Sequence, residues 1–410
     1  MDKQAELLDS RRLTGPNVLG PRPAAVIDVA VAPADAGAYV DAWRQCAAAM
    51  LAQVGWEHSV LLERRLDGGV SLGLTAPIDA LYAATEINDW AHDAAASALA
   101  GSAPADIAAD AKRLLEMIEQ ESNAGLVALH DAALAHGIPF LADDDYMSLG
   151  FGARSRTWAV DALPEPAQVP WEALGAIPVG LVTGTNGKTT TVRLAAAIAH
   201  AAGMSVGFCS TDGIVAAGET LDHGDYSGPG GARAVLRDPR VTCAILETAR
   251  GGLLRRGTAM THADAAVITN IGADHLDDFG VRDLEHLAEI KWLVTTVLGA
   301  SGTAVLNAED PRLIERAGRL AGPVIWFSLD PSSPVIKRHC MAGGVAWVLA
   351  EGQLTRLQGD GQEPIVAAER IPITLQGAAR HNIANCLAAA GLADALGLPV
   401  EAFAAGLCAA

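Results

Sequence analysis

Lysine is scarce: five lysines stand against 24 arginines, and the formal net charge is −19. Nucleic acid and anionic membrane surfaces both demand a basic footprint, so this balance excludes them as general partners. It does not exclude a small anionic ligand, because nucleotide sites are local and draw on backbone amides. No C-x-x-C pair occurs among Cys46, Cys209, Cys243, Cys340, Cys386 and Cys408. They read as reduced, packed thiols of a cytosolic protein. The first residues, MDKQAELLDSRR, are polar and charged, unlike a secretory signal. No apolar run reaches the ~18 residues of a membrane helix. A soluble, cytoplasmic protein is expected. Aromatics are only 4% of the chain while alanine is abundant, so helices and small-residue packing should dominate. What is present in quantity is apolar surface: half of 410 residues, enough for two or three domains with a large core.

Along the chain, 24–31 reads as a strand and 35–54 as an Ala-rich helix. Residues 59–77 alternate about Asp67-Gly68-Gly69, a hairpin signature. Helical patterns follow at 78–100, 104–119 and 122–136, then a short strand-like piece at 138–141. Residues 1–160 are therefore expected to form an α+β N-terminal domain. The Pro-rich 161–177 reads as a linker. From 178 to 410 strands and helices alternate. Strands are expected at 178–183, 205–209, 242–247, 264–269, 303–307 and 323–327, with helices at 189–202, 231–237, 283–298 and 310–320. That rhythm implies an α/β domain with a mainly parallel sheet and helices on both faces. Beyond 335 come β-like pieces separated by glycine, then helices at 377–396 and 399–409.

The joint between the first strand and helix of this second domain is GTNGKTT, Gly184 to Thr190. A strand that ends in a glycine loop and feeds a helix builds an anion site: the helix's first amides have no internal partners, and its dipole adds positive potential. Gly184 and Gly187 let backbone wrap an oxygen, with Thr185 and Asn186 between them. Lys188 would reach the β/γ-phosphates, Thr189 is placed for Mg²⁺, and Thr190 continues the first helical turn. The spacing departs from G-x-x-x-x-G-K-S/T, because Val182 occupies the first glycine position. Strand, loop and helix nonetheless come in the order that a phosphate loop requires.

Downstream residues narrow the chemistry. Glu247 closes the apolar run CAILE at the C-terminal end of an expected parallel strand, the edge where such sheets bind ligands. Asn270, Asp274 and His275 follow another such strand. Glu247 and His275 together would hold a second Mg²⁺ against the γ-phosphate. Lys291 sits on the next helix. In so arginine-rich a chain, a lysine there points to amine chemistry.

These residues resemble the Mur ligases: GTNGKTT, a strand-end glutamate, TNIGADHLDDFG (269–280), a helix lysine, LNAEDP (306–311) and GAARHNIANCLAA (377–389). More narrowly, 224–257 looks like the Mur-like domain of the cyanophycin synthetases, and 10–20 and 138–156 resemble their N-terminal unit. The resemblance implies an α/β phosphate-loop ligase that uses ATP and Mg²⁺. Such an enzyme phosphorylates a carboxylate and joins it to an amine. It implies phosphate and Mg²⁺ roles for Lys188 and Thr189, metal ligation by Glu247 and His275, and a carbamylated Lys291. It also implies an adenine pocket with Asn307 and Asn382 and a ribose contact from Asp310. The implied substrates are an acidic peptide or polymer, whose aspartate side chain is activated, and an amino acid. Arg11, Arg12, Arg154 and Arg156 would meet carboxylates or solvent. Homo-oligomers are expected by analogy.

In the resembled synthetases an ATP-grasp domain stands between these two parts. Here a short linker leads directly to the phosphate loop, so backbone extension is not expected. The family's C-terminal domain is not expected within these 410 residues either. A fragment, a different function, or completion by another chain all stay open. So do three functions: the ligase, a non-catalytic nucleotide-binding subunit working with a separate ATP-grasp ligase, and a small-molecule kinase. The kinase leaves 247–252 and 269–280 unexplained.

Overall fold

A computed structural model of the chain describes residues 5–102, 106–273 and 283–410. It divides into two compact units. Among the described residues, the first holds 5–131 and 254–257, and the second holds 132–253, 258–273 and 283–410. The segment 140–159, grouped by sequence with the N-terminal domain, clusters with the second unit.

The first unit is built on a four-stranded antiparallel sheet in the order β1-β2-β4-β3. Its strands are β1 (Glu6–Leu13), β2 (Ala24–Ala30), β3 (Leu61–Leu66) and β4 (Gly69–Thr75). Helices α1 (Ala36–Gln53) and α2 (Leu81–Leu99) supply Tyr39, Trp43, Ala91 and Ala95 to a core with Ile27, Val29, Val70 and Leu72. The β3–β4 hairpin turns at Gly68, whose φ of +80° suits glycine. Asn88 of α2 is fully buried yet satisfied: it accepts from Trp43 Nε1 and donates to the carbonyls of Ala25 and Leu72. Helices α3 (Ile107–Glu121) and α4 (Ala124–His136) follow. Strand β1 escapes the sequence pattern because it is an edge strand whose first four residues face solvent.

The second unit opens with a small antiparallel sheet of β5 (Phe140–Ala142), β6 (Tyr146–Leu149) and β7 (Arg156–Ala159). Its centre is an eleven-stranded sheet. In chain order the strands are β8 (Val179–Thr183), β9 (Val206–Ser210), β10 (Gly213–Ala216), β11 (Glu219–His223), β12 (Cys243–Glu247), β13 (Ala263–Ile268), β14 (Leu298–Asn307), β15 (Val324–Ser328), β16 (Val345–Ala350), β17 (Gln353–Gln358) and β18 (Gly361–Ala367). Spatially they run β11-β10-β9-β12-β8-β13-β14-β15-β16-β17-β18. The stretch from β9 to β16 is parallel, and antiparallel hairpins extend both edges. The strand order reverses beside β8, so loops at its C-terminal end open into a crevice.

The helices here are α5 (Lys188–Ala201), α6 (Pro229–Arg237), α7 (Arg250–Arg256), α8 (Leu284–Trp292), α9 (Pro311–Ala317), α10 (Pro334–Met341), α11 (Arg380–Ala395) and α12 (Glu401–Ala409). α7, at the change of unit, escapes the sequence reading because Gly251-Gly252 argue against helix. α5, α11 and α12 share one core with Val182, Ile245, Val267, Val305, Phe327 and Trp347. Side chains alternate along a strand, so Glu247 points to the same face as Ile245 and meets α5. Gly180 leaves room for Leu392 of α11, where any Cβ would crowd it at 3.0 Å. Arg237 of α6 ties down the small sheet: it pairs with Asp143 at 2.5 Å and donates to Ser148 Oγ at 2.9 Å and the Tyr146 carbonyl at 2.8 Å. No helix among the described residues is long and apolar enough to cross a membrane.

Candidate functional site

β8 ends at Thr183, and the chain turns through Gly184 (φ +148°) and Gly187 (φ +83°) into α5. Both glycines are required twice over, by φ and by space. A Cβ on Gly184 would strike the Thr269 hydroxyl, and one on Gly187 would strike the Asn385 carboxamide. The loop is laced to the end of β13. Thr185 N donates to Asn270 O at 2.9 Å and Asn186 N to Asn270 Oδ1 at 3.0 Å. Thr269 Oγ1 and Asn270 Nδ2 donate to the Asn186 carbonyl at 2.7 and 3.1 Å. Lys188 Nζ donates to Thr185 O at 3.0 Å, which folds the ammonium back over the loop. The first α5 amides have no intrahelical acceptors, so loop and helix together present donors to an anion.

Thr189, the second residue of α5, reaches β12. Its hydroxyl donates to Glu247 Oε2 at 2.8 Å and lies 3.0 Å from the Thr211 hydroxyl. Glu247 is 1% exposed, and its Oε1 is buried with no hydrogen-bond partner. Burial pushes its carboxyl above the usual range. The Thr189 hydroxyl, the Lys188 ammonium and the Thr211 amide oppose that rise, and the Asp225 charge adds to it. A buried carboxylate with an orphan oxygen is costly unless a donor or a cation completes it. Carboxylate plus threonine hydroxyls is a donor set that fits a hard divalent cation such as Mg²⁺. Among the described residues there is no cluster of three or more His, Cys, Asp or Glu side chains able to hold a metal. Asp274 and His275 lie outside the described residues.

Beside the loop is a cavity of about 120 Å³, lined by Asn186, Gly187, Thr269, Asn270, Asn307, Phe327, His381, Ala384 and Asn385. Asn307, expected in an adenine pocket, lines this cavity, with its Nδ2 on the Thr269 carbonyl at 3.0 Å. Asn382 and Asp310 do not line the cavity. Asn382 Nδ2 donates to Ile373 O at 2.8 Å, and its Oδ1 accepts from Asn385 at 3.3 Å. Asp310 caps α9 through the Arg312 amide and takes the Ile271 amide on its other oxygen at 2.7 Å. Asn270, Phe327 and His381 are wall residues that the sequence reading assigned no such role. Asn385 is another: it stands one helical turn beyond Asn382 and faces the loop instead.

Lys291 is 3% exposed, at the C-terminal end of α8. Arg316 of α9, 2% exposed, grips that helix by donating to Glu285 at 2.7 Å and Glu289 at 3.1 Å. Of the four arginines expected to meet carboxylates or solvent, Arg154 and Arg156 are exposed, and all four also make contacts within the chain. Arg11 pairs with Asp28 at 2.6 Å and Asp9 at 3.0 Å, and Arg12 stacks over Tyr82. Arg154 donates to Leu174 O at 3.0 Å, and Arg156 lies over Trp158. A larger cavity of about 680 Å³ in the first unit is lined in part by Arg11, Arg12, Asp28 and Asp89; it contains none of the loop residues.

The Mur ligase middle domain family model matches residues 182–393. The chain is 42% identical over 231 residues to the cyanophycin synthetase of Synechocystis sp., covering 56% of this chain and 26% of that protein. It is 33% identical over 226 residues to the UDP-N-acetylmuramoylalanine–D-glutamate ligase of Chromobacterium violaceum, covering 55% and 42%. It spans about a quarter of the length of the cyanophycin synthetases that it matches. Among solved structures, a UDP-N-acetylmuramoyl-L-alanyl-D-glutamate–2,6-diaminopimelate ligase aligns with TM-score 0.42 and 19% identity, over 57% of this chain and 46% of that one.

Proposed function

The chain belongs to the Mur ligase family, and on that premise we propose that it is an ATP-dependent amide ligase that activates a carboxylate and joins it to the amine of an amino acid. One observation carries the reading. The phosphate loop delivers Thr189 onto Glu247, a buried strand-end carboxylate with an orphan oxygen, 2.8 Å away.

In the proposed reaction a carboxylate oxygen attacks the γ-phosphorus, the bond to ADP breaks, and an acyl phosphate forms. The amine then attacks the acyl carbon. A C–N bond forms, phosphate leaves with the carboxyl oxygen, and the amine proton is lost. Charge shifts among phosphoryl oxygens throughout, so catalysis is largely positioning and electrostatics. The loop amides and Lys188 hold the phosphates. Asn307, Phe327, His381 and Asn385 wall the space for the base. Thr189 and Glu247 would hold Mg²⁺, with His275 as a further ligand and Lys291 as the carbamylated lysine implied by the family. Magnesium, when bound, neutralises developing charge on the transferred phosphoryl group.

The 42% identity to a cyanophycin synthetase supports an aspartate side chain of an acidic peptide or polymer as the carboxylate. The test is phosphate release from Mg-ATP with an aspartate-rich peptide and a panel of amino acids, for wild type and Lys188→Ala. Release that requires both substrates and vanishes in the variant supports the ligase. ATP binding without release under every combination would overturn it. That result would favour a nucleotide-binding subunit that works with a separate ATP-grasp ligase.

A further inference from the structure

A second carboxylate, Asp225, stands on a turn at the end of the sheet where Glu247 closes its strand. The turn at 225–227 is pinned across the ends of two adjacent strands. Tyr226 N donates to Ser210 O at the end of β9, at 2.9 Å. Ser227 O accepts from Ala249 N, just past the end of β12, at 2.8 Å. Glu247 closes β12, so these bonds set Asp225 at the sheet edge that carries Glu247, Thr189 and Thr211. The turn is shaped by Asp225 itself: its Oδ1 accepts from Ser227 N at 3.0 Å and from Ser227 Oγ at 2.6 Å.

Two like charges at one edge, one of them 99% buried with an unpartnered oxygen, destabilise the fold. A divalent cation reverses the sign of both effects. Mg²⁺ commonly takes one or two carboxylates and keeps several waters. We infer that Asp225 supplies a second carboxylate to the divalent-cation site formed by Glu247 and Thr189. The inference rests on the nucleotide-dependent reading above, and it assigns a ligand that the loop motif does not contain.

The test is Mn²⁺ binding to the full chain in the presence of ADP, followed by the electron paramagnetic resonance of free Mn²⁺. Asp225→Asn keeps the Oδ1 acceptor for Ser227 and removes only the charge, so the turn survives. Asp225→Ser, which also keeps an acceptor, serves if the first variant folds poorly. Either is expected to weaken Mn²⁺ binding roughly tenfold or more. Asp222→Asn, which changes an exposed carboxylate on β11, is expected to bind as wild type, and the metal-free thermal midpoint of Asp225→Asn is expected to hold or rise. Unchanged Mn²⁺ affinity in Asp225→Asn would overturn the inference, as would an equal loss in Asp222→Asn. A wild type that binds no Mn²⁺ would overturn the cation reading of Thr189 and Glu247 with it.

Discussion

The Thr189 hydroxyl donates to Glu247 Oε2 at 2.8 Å, joining the start of α5 to the end of β12. Burying that carboxylate costs the fold stability, and on the proposed reading a divalent cation offsets the cost. Glu247→Gln removes the charge and keeps the shape. It is expected to lower phosphate release at least ~100-fold, the scale of losing one preorganised electrostatic contact. The thermal midpoint without ligand is expected to hold or rise, because a buried, half-satisfied charge is gone. Normal turnover, or a large fall in midpoint, would contradict this.

Gly187 tests the loop's geometry. Alanine there meets a φ of +83° and the Asn385 carboxamide together. The backbone penalty alone is about 1–2 kcal/mol. Gly187→Ala is expected to lose nucleotide affinity at least tenfold in calorimetric ADP titration. Adding Asn385→Ala is expected to restore part of it, because the steric share is relieved while the φ share remains. No recovery would show that Asn385 does not set the loop.

The Asp143–Arg237 pair sets a pH dependence. Burial alone would raise the Asp143 carboxyl, but the Arg237 bond, the Tyr146 amide and the Arg237 and Arg233 charges outweigh it and leave it below its ordinary value. A depressed carboxylate stabilises the fold above its unfolded pKa, and that contribution fades as pH falls through the folded value. Asp143→Asn is therefore expected to cost about 1–2 kcal/mol in urea unfolding at pH 7. The difference from wild type is expected to shrink below about pH 4. A difference independent of pH would sink the assignment.

Arg316 holds α8 through Glu285 and Glu289, which are themselves about half exposed. Those carboxylates can rehydrate when the guanidinium is removed, so the loss falls below that of a fully buried pair. Arg316→Met is expected to destabilise by about 1–3 kcal/mol in denaturant unfolding. An unchanged midpoint would show that the two helices hold together without it.

Where the signal is local, the sequence sufficed. The phosphate loop is legible because a strand, two glycines, a lysine and a helix stand in one continuous stretch, and β8, β9, β12 and β13 lie within a residue or two of their expected positions. The wall of the cavity beside the loop was harder. Asn382 and Asn385 differ by three residues on one helix, and only the packing of α11 shows that Asn385 meets Gly187 while Asn382 turns to Ile373. Asp225 sits in a loop whose position depends on backbone bonds to two distant strands, and no periodicity encodes that. β6 and β7 are four residues each, too short for alternation to register.

The most direct measurement is isotope transfer. An aspartate-rich peptide labelled with ¹⁸O in its side-chain carboxylates would be turned over with Mg-ATP and the amino acid that supports phosphate release. The account expects one ¹⁸O in each phosphate released, because the carboxyl oxygen departs with the phosphoryl group. Phosphate that carries none of the label would mean that water, not a carboxylate, takes the γ-phosphoryl group, and the ligase reading would fall.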